Sequence, residues 1–220
     1  YRDVWTDALA FPGAVGDGYI IYPGSRYGLD TAIASIRLEA IRDGLEDYEY
    51  LYKLKNLSED LADKYDVFDY DFNENMSKCY DLIYQGTIIH NDIDAFAVAR
   101  ETVAELISLA QKGVLVTFDR SSLNGKITAN VYGGDKVSEV KVNNVSATAA
   151  KSGEGNLFTA SFFPAGYANV SLKCGNENIT KKIFVGGLSV LVNSFESESV
   201  IGGIVCLSLI HISEPTRHSL

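Results

Sequence analysis

Residues 16–57, GDGYIIYPGSRYGLDTAIASIRLEAIRDGLEDYEYLYKLKNL, constrain the fold more than any other stretch. Gly18-Tyr19-Ile20-Ile21-Tyr22 is a short run of apolar, β-branched and aromatic residues, closed by the turn pair Pro23-Gly24. A run that is apolar on both faces suits a strand covered on both sides, as in parallel sheets. The loop that follows ends at Ser35, a good helix N-cap. Beyond it Leu38, Ile41, Leu45, Tyr48 and Tyr52 recur at spacings of three and four, which draws one narrow apolar stripe along a helix. Strand, turn and amphipathic helix make half of a β-α repeat. Such a unit has to bury its stripe against further layers.

Two features of this helix ask for neighbours. Gly44 sits mid-helix, at about 1 kcal/mol relative to Ala, and predicts the close approach of another backbone. Asp43 and Asp47 lie one turn apart, where like charges repel. Arg42 with Glu46 and Glu49 with Lys53 are favourable pairs at the same spacing, so the two Asp residues are expected to find partners outside the helix. Arg37, in the first turn, is one of few nearby cations. It belongs either to a structural ion-pair cluster or to the rim of a substrate pocket.

GDGYIIYPG followed by SIRLEAIRDGLEDYEYL resembles the signature near the C-terminal end of the catalytic module of glycoside hydrolase family 123 and its DUF4091-type relatives. The resemblance extends over roughly residues 1–112. It implies a TIM-type (β/α)8 barrel whose last strand and helix are the elements above, and hydrolysis of β-linked N-acetylgalactosamine or a related glycan. It implies that Tyr19–Tyr22 is an inner strand with parallel neighbours; antiparallel pairing alone is expected to take the glycosidase reading with it. It also implies a substrate-assisted, retaining mechanism, in which the substrate's acetamido group attacks the anomeric carbon while an adjacent Asp-Glu pair supplies the acid and orients the nucleophile. No Asp-Glu dipeptide occurs in this chain, and Glu46-Asp47 has the reverse order on a helix. The catalytic role is therefore carried onto no residue here, and the chain alone is expected to be inactive on aryl glycosides. Tyr22, at the mouth of the last strand, Trp5 and Arg37 are the residues the resemblance offers as substrate-binding. A glycan is the expected partner, with no cofactor and no metal. Export to the periplasm or the exterior suits such an enzyme. The alternative is a non-catalytic carbohydrate-binding or surface protein that reuses the same signature.

The net charge is −10, and its distribution is uneven: residues 1–113 hold 10 basic and 21 acidic side chains, residues 114–187 hold 8 and 5. An acidic first half argues against nucleic acid as a partner. Cys79, Cys174 and Cys206 are far apart, and neither they nor His90, His211 and His218 show ligand spacing, so no zinc site and no disulfide framework is expected. No apolar run is long enough to span a membrane. The glycine-rich Gly13 to Gly18 precedes a strand and lacks the Lys-Ser/Thr of a phosphate loop. The sequons at Asn144, Asn169 and Asn178 are at chance level. A complete barrel of about 250 residues does not fit ahead of the signature, so most of it is expected to lie outside this chain. Residues 207–220 resemble the translation of a sequencing adapter and are set aside.

Further along, Ser58-Glu59-Asp60 can open a short helix through Tyr65. The run Tyr65 to Asn75, YDVFDYDFNEN, lacks the Gly and terminal Glu of a calcium loop and reads as a surface loop whose aromatics pack down. Helices are expected over 75–90 and, capped by Asp92, through Lys112, with Gly113 as C-cap. Both should buttress the barrel. At Val114 the period changes from about 3.6 to 2. Ile127/Ala129/Val131, Val140/Val142, Phe158/Ala160/Phe162, Ala168/Val170/Leu172 and Ile183/Val185 alternate with polar residues, between turn signals such as Asn143-Asn144 and Gly175-Asn176. Six or seven short strands predict an immunoglobulin-like antiparallel β-sandwich over 113–187. Residues 188–206 resemble the opening of a further, jelly-roll domain. Residues 1–112 expressed alone are predicted to aggregate or stay molten, because one β-α unit leaves its stripe uncovered. A cooperative, monomeric unfolding transition in urea would contradict this.

Overall fold

The structure, a computed structural model, describes residues 20–89, 92–120, 125–163 and 166–186. Trp5, the glycine-rich 13–18, all three His residues, the 188–206 segment and the adapter-like end lie outside them. The chain forms two compact units, Tyr1–Tyr52 and Lys53–Leu220.

In the first unit β1 (Ile21–Pro23) and β2 (Ala32–Ala34) form an antiparallel hairpin with Tyr22 opposite Ile33. Gly24–Tyr27 make a 3-10 turn between them. Gly24 is required there, since a Cβ would lie 2.0 Å from the Thr31 carbonyl oxygen. Helix α1 (Ile36–Lys64) then starts where expected, with Ser35 Oγ accepting the Leu38 N–H at 3.3 Å.

Several expectations need correcting here. Among the described residues β1 has no parallel neighbour, and Ile21 is 56% exposed instead of covered on both faces. A short strand must satisfy its backbone groups, and this one does so with the nearest segment across the 3-10 turn. No described backbone passes Gly44, where a Cβ would meet nothing within 4 Å. The Asp43 carboxylate is met from within its own helix by Arg42, which also reaches Glu39 and Glu46. All these groups are exposed, so the cluster adds little stability. The apolar stripe is present but open, with Leu45 and Tyr48 each 61% exposed. No break occurs at Ser58, which is buried inside the continuous α1.

The second unit is built on two four-stranded antiparallel sheets. The strands are β5 (Val114–Arg120), β6 (Ile127–Gly133), β7 (Val137–Val142), β8 (Val145–Ser146), β9 (Thr148–Ser152), β10 (Gly155–Phe162), β11 (Gly166–Cys174) and β12 (Glu177–Gly186). They run in the orders β5-β6-β10-β9 and β12-β11-β7-β8. Every residue of the alternating apolar sets named above is buried, Ala129, Val131, Val142, Ala168 and Val170 completely. Full burial of each valine is worth about 1.5–3 kcal/mol, so these sets hold the sheets together. Asn143 and Asn144 both take positive φ, 48° and 66°, in the tight turn between β7 and β8.

Helices α2 (Phe72–Asp81) and α3 (Ile93–Ala110) were expected on a barrel; they pack on β5 and β12. The face of α3 that packs is apolar, with Ala99, Val103, Leu106, Ile107 and Ala110 buried, and Asp92 caps the helix as expected by accepting from the Asp94 and Ala95 N–H groups. The helix expected to reach residue 90 stops at Asp81. A small hairpin of β3 (Tyr84–Gln85) and β4 (Ile88–Ile89) follows, because Gly86 takes φ 60° and its flanks are aromatic and β-branched.

The C-terminal end of α1 is tied to the sheets by Tyr65, which is 1% exposed. Its hydroxyl donates to the Gly113 carbonyl at 2.7 Å, and its own carbonyl accepts from Ser152 Oγ at 2.7 Å. The ring stacks on Tyr132 and joins Leu61, Ala62, Ala110 and Leu115 in one cluster. We predict that Tyr65→Phe costs about 1 kcal/mol and Tyr65→Ala about 3–5 kcal/mol, read from urea midpoints at unchanged m-value. Equal stability of Tyr65→Ala and the parent chain would show that the end of α1 is not anchored this way.

Candidate functional site

The acid-aromatic run after α1 builds one wall of a concavity in the second unit. Asp66 takes φ 56°, a left-handed conformation that Asp tolerates, and turns the chain out of the helix. Five residues on, Asp71 accepts the Glu74 N–H at 2.9 Å and starts α2. Asn75 then fastens this helix to the sheet. Its Nδ2 donates to the Val116 carbonyl and its Oδ1 accepts from the Phe118 N–H, each at 3.1 Å. β5 is an edge strand, so one side-chain amide occupies the backbone groups that another strand would take.

Between this loop and the outward face of the first sheet lies a cleft of about 380 Å³. One wall carries Asp66, Phe68, Asp69 and Tyr70; the start of α2 adds Asp71 and Glu74; the floor is Thr117, Asp119, Asn130 and Tyr132. The floor is ordered by hydrogen bonds across three strands. Asn130 Nδ2 donates to Asp119 Oδ2 at 2.5 Å, and Thr159 Oγ1 donates to Asn130 Oδ1 at 3.2 Å. Thr128 and Ser161 hydroxyls pair at 2.8 Å one rung further. Of the aromatics in this run, expected to pack down, Tyr65 and Phe72 are buried and Tyr70 packs against the core, while Phe68 stands at the rim with 90% of its surface exposed.

Burial raises the pKa of two phenols in the walls. The Tyr132 hydroxyl is pushed up by desolvation and then by the Asp119 charge. Tyr70 is pushed up by burial, while the nearby Ser58 and Asn75 side chains pull the other way. Its hydroxyl is buried and has no partner in hydrogen-bonding geometry among the described residues. Cys79, on the buried side of α2, donates weakly to the Ala99 carbonyl at 3.6 Å. Among the described residues no group of three or more His, Cys, Asp or Glu side chains could hold a metal ion. No described helix is long and apolar enough to cross a membrane.

Of the residues named from sequence, Tyr22 is half-buried in β1 and Arg37 is exposed in the first turn of α1; both make polar or ring contacts. They share the first compact unit and neither lines the cleft. Trp5 lies outside the described residues. The cleft residues were missed because they come from three separate segments. One signal was available: Asp71 and Glu74 have capping-box spacing, which starts α2 three residues earlier than the reading above.

Comparison with family models matches residues 1–54 to "Glycoside hydrolase 123, catalytic domain". The comparisons with curated proteins and with solved structures return no match.

Desolvation lifts the Cys79 thiol from 9.0 to about 12 and Tyr80 from 10.0 to about 12. Between those limits the folded chain keeps protons that the unfolded chain releases, so stability falls as pH rises. The expected outcome is a urea midpoint that is flat just below pH 9 and declines from pH 9 toward 12, with Cys79 inert to thiol reagents at pH 8. Rapid modification of Cys79 in the folded chain at pH 8 would contradict its burial.

Proposed function

We propose that this chain, which carries a glycoside hydrolase 123 catalytic-domain segment in residues 1–54, comes from a glycosidase acting on β-linked N-acetylhexosamine, with N-acetylgalactosamine the favoured sugar. In this reading residues 1–54 include the last β-α unit of a TIM-type barrel, and the antiparallel sheets form an immunoglobulin-like accessory domain. The family match is the observation that carries the glycosidase reading. The antiparallel hairpin of β1 is the pairing expected to count against this reading, which therefore rests on the family match alone. The strand orders β5-β6-β10-β9 and β12-β11-β7-β8 favour the immunoglobulin-like assignment, since they read A-B-E-D and G-F-C-C′ when lettered along the chain.

The chemistry follows from the substrate. An acetamido oxygen beside the anomeric carbon can displace the leaving group from the opposite face. One carboxylic acid then protonates the leaving oxygen, and one carboxylate orients and stabilises the acetamido group. This differs from the usual pair of separated carboxylates. The chain contains no adjacent Asp-Glu, so its own residues would act in binding: Tyr22 and Trp5 by stacking or hydrogen bonding to the sugar, Arg37 as a donor at the pocket rim. A second reading is a non-catalytic glycan-binding protein built on the same signature, and an Asp-Glu pair elsewhere in the intact protein would separate the two.

The test uses an intact homologue that carries this segment together with an Asp-Glu pair. Replacing the residue equivalent to Tyr22 by Ala should lower kcat/KM on an aryl β-N-acetylgalactosaminide roughly tenfold at unchanged Tm. An unaltered rate would refute the subsite role. Absence of hydrolysis by the intact protein itself would favour the binding-protein reading.

A further inference from the structure

The cleft over the first sheet lies in the compact unit that the family match does not reach beyond its first two residues, and nothing in the glycosidase reading uses it. Its volume, about 380 Å³, falls in the range of small-molecule sites, about 300–1,000 Å³. Its lining contains no Lys, Arg or His but five carboxylates, from Asp66, Asp69, Asp71, Glu74 and Asp119. Such a lining repels anions. Asp66 and Asp69 are exposed on the wall and open to a donor.

The floor selects further. Thr117 and Asn130 face each other across β5 and β6, and Asn130 is bonded on to Thr159; Asp119 faces Thr128, which is bonded on to Ser161. Amides and hydroxyls both donate and accept. A cation would use only acceptors, whereas the Thr117 hydroxyl and the second Nδ2–H of Asn130, whose other N–H goes to Asp119, offer donors as well. A molecule rich in hydroxyls uses both. Phe68 adds an exposed apolar ring at the mouth, the kind of surface on which the C–H face of a pyranose stacks.

We propose that this cleft is a second carbohydrate site, specific for uncharged sugar units and closed to sulfated or uronic ones. The glycan class rests on the glycosidase reading above; the preference for uncharged sugar rests on the cleft alone. The site would hold a neutral stretch of the polymer on the accessory unit.

The experiment titrates the full 220-residue chain, carrying isotope-labelled Phe, with N-acetylgalactosamine, with its 6-sulfated form and with tri-lysine. Saturation-transfer and Phe-ring shift changes are read by NMR. The neutral sugar should perturb Phe68, and Phe68→Ala should weaken binding roughly tenfold. Phe163→Ala, at a ring that is also exposed but lies outside the cleft, should leave binding unchanged. The sulfated sugar should bind at least about tenfold more weakly, and the double variant Asp66→Asn, Asp69→Asn should narrow that gap. Equal binding of both sugars, insensitivity to Phe68→Ala, tighter binding of tri-lysine, or no binding of the neutral sugar would each overturn the proposal. Binding that shifts Phe11, within the family-matched residues 1–54, but not Phe68 would overturn the cleft and leave the glycosidase reading standing; turnover by the intact homologue tests that reading separately.

Discussion

The second unit depends on one buried side chain, Tyr65. Its phenol reaches the Gly113 carbonyl, 48 residues on, and its backbone carbonyl is met by Ser152, 87 residues on. The neighbouring turn has no room for side chains against it: a Cβ on Gly153 would lie 2.7 Å from the Tyr65 carbonyl carbon, and one on Gly155 2.6 Å from its ring. Three distant segments are thus fixed on one residue: the end of α1, the junction of α3 with β5, and the turn from β9 to β10. Such long-range contacts carry a large loop-closure cost, which the cluster around Tyr65 must offset.

The cleft follows from that anchor. With Tyr65 pinned and Asp66 turned into the left-handed region, the following loop can only run out over the first sheet. Asn75 brings it back by bonding to the edge of β5. The outward face of that sheet therefore has two environments. The rung of Leu115, Tyr132 and Leu157 is covered by the end of α1 and its cluster. The next rungs, through Asn130 and Thr128, are polar and line or adjoin the open space. Cover and cleft are produced by the same loop.

The other edge of the assembly is closed by helices. α3 lies on β5 and β12, the first and last strands of the two sheets. Thr102, buried on that helix, accepts the Phe184 N–H of β12 at 3.2 Å, and Lys181 pairs with Glu105 in a partly buried ion pair. This docking buries α3 on more than one side, Thr102 and Leu109 included. Periodicity shows which residues are apolar, but it cannot show that both sides of a stripe meet strands. The same limit explains the reading that placed this helix on a barrel.

What could be read from the chain alone was local. Alternation with period 2 marks the inward residues from Ile127 to Val185, because side chains on a strand must point to opposite faces. Ser35 and Asp92 mark helix starts because only a few side chains can accept the orphan N–H groups there. The family signature is legible for the same reason that it is dense: it lies in one continuous stretch, which residues 1–54 share with the family model. Tertiary structure alone decided which strands are neighbours, where α2 and α3 dock, and that Phe68, Asp119 and Asn130 face one space. Those are outcomes of contacts between residues dozens of positions apart, set by the competition for buried area and for backbone partners, and no local pattern encodes the winner.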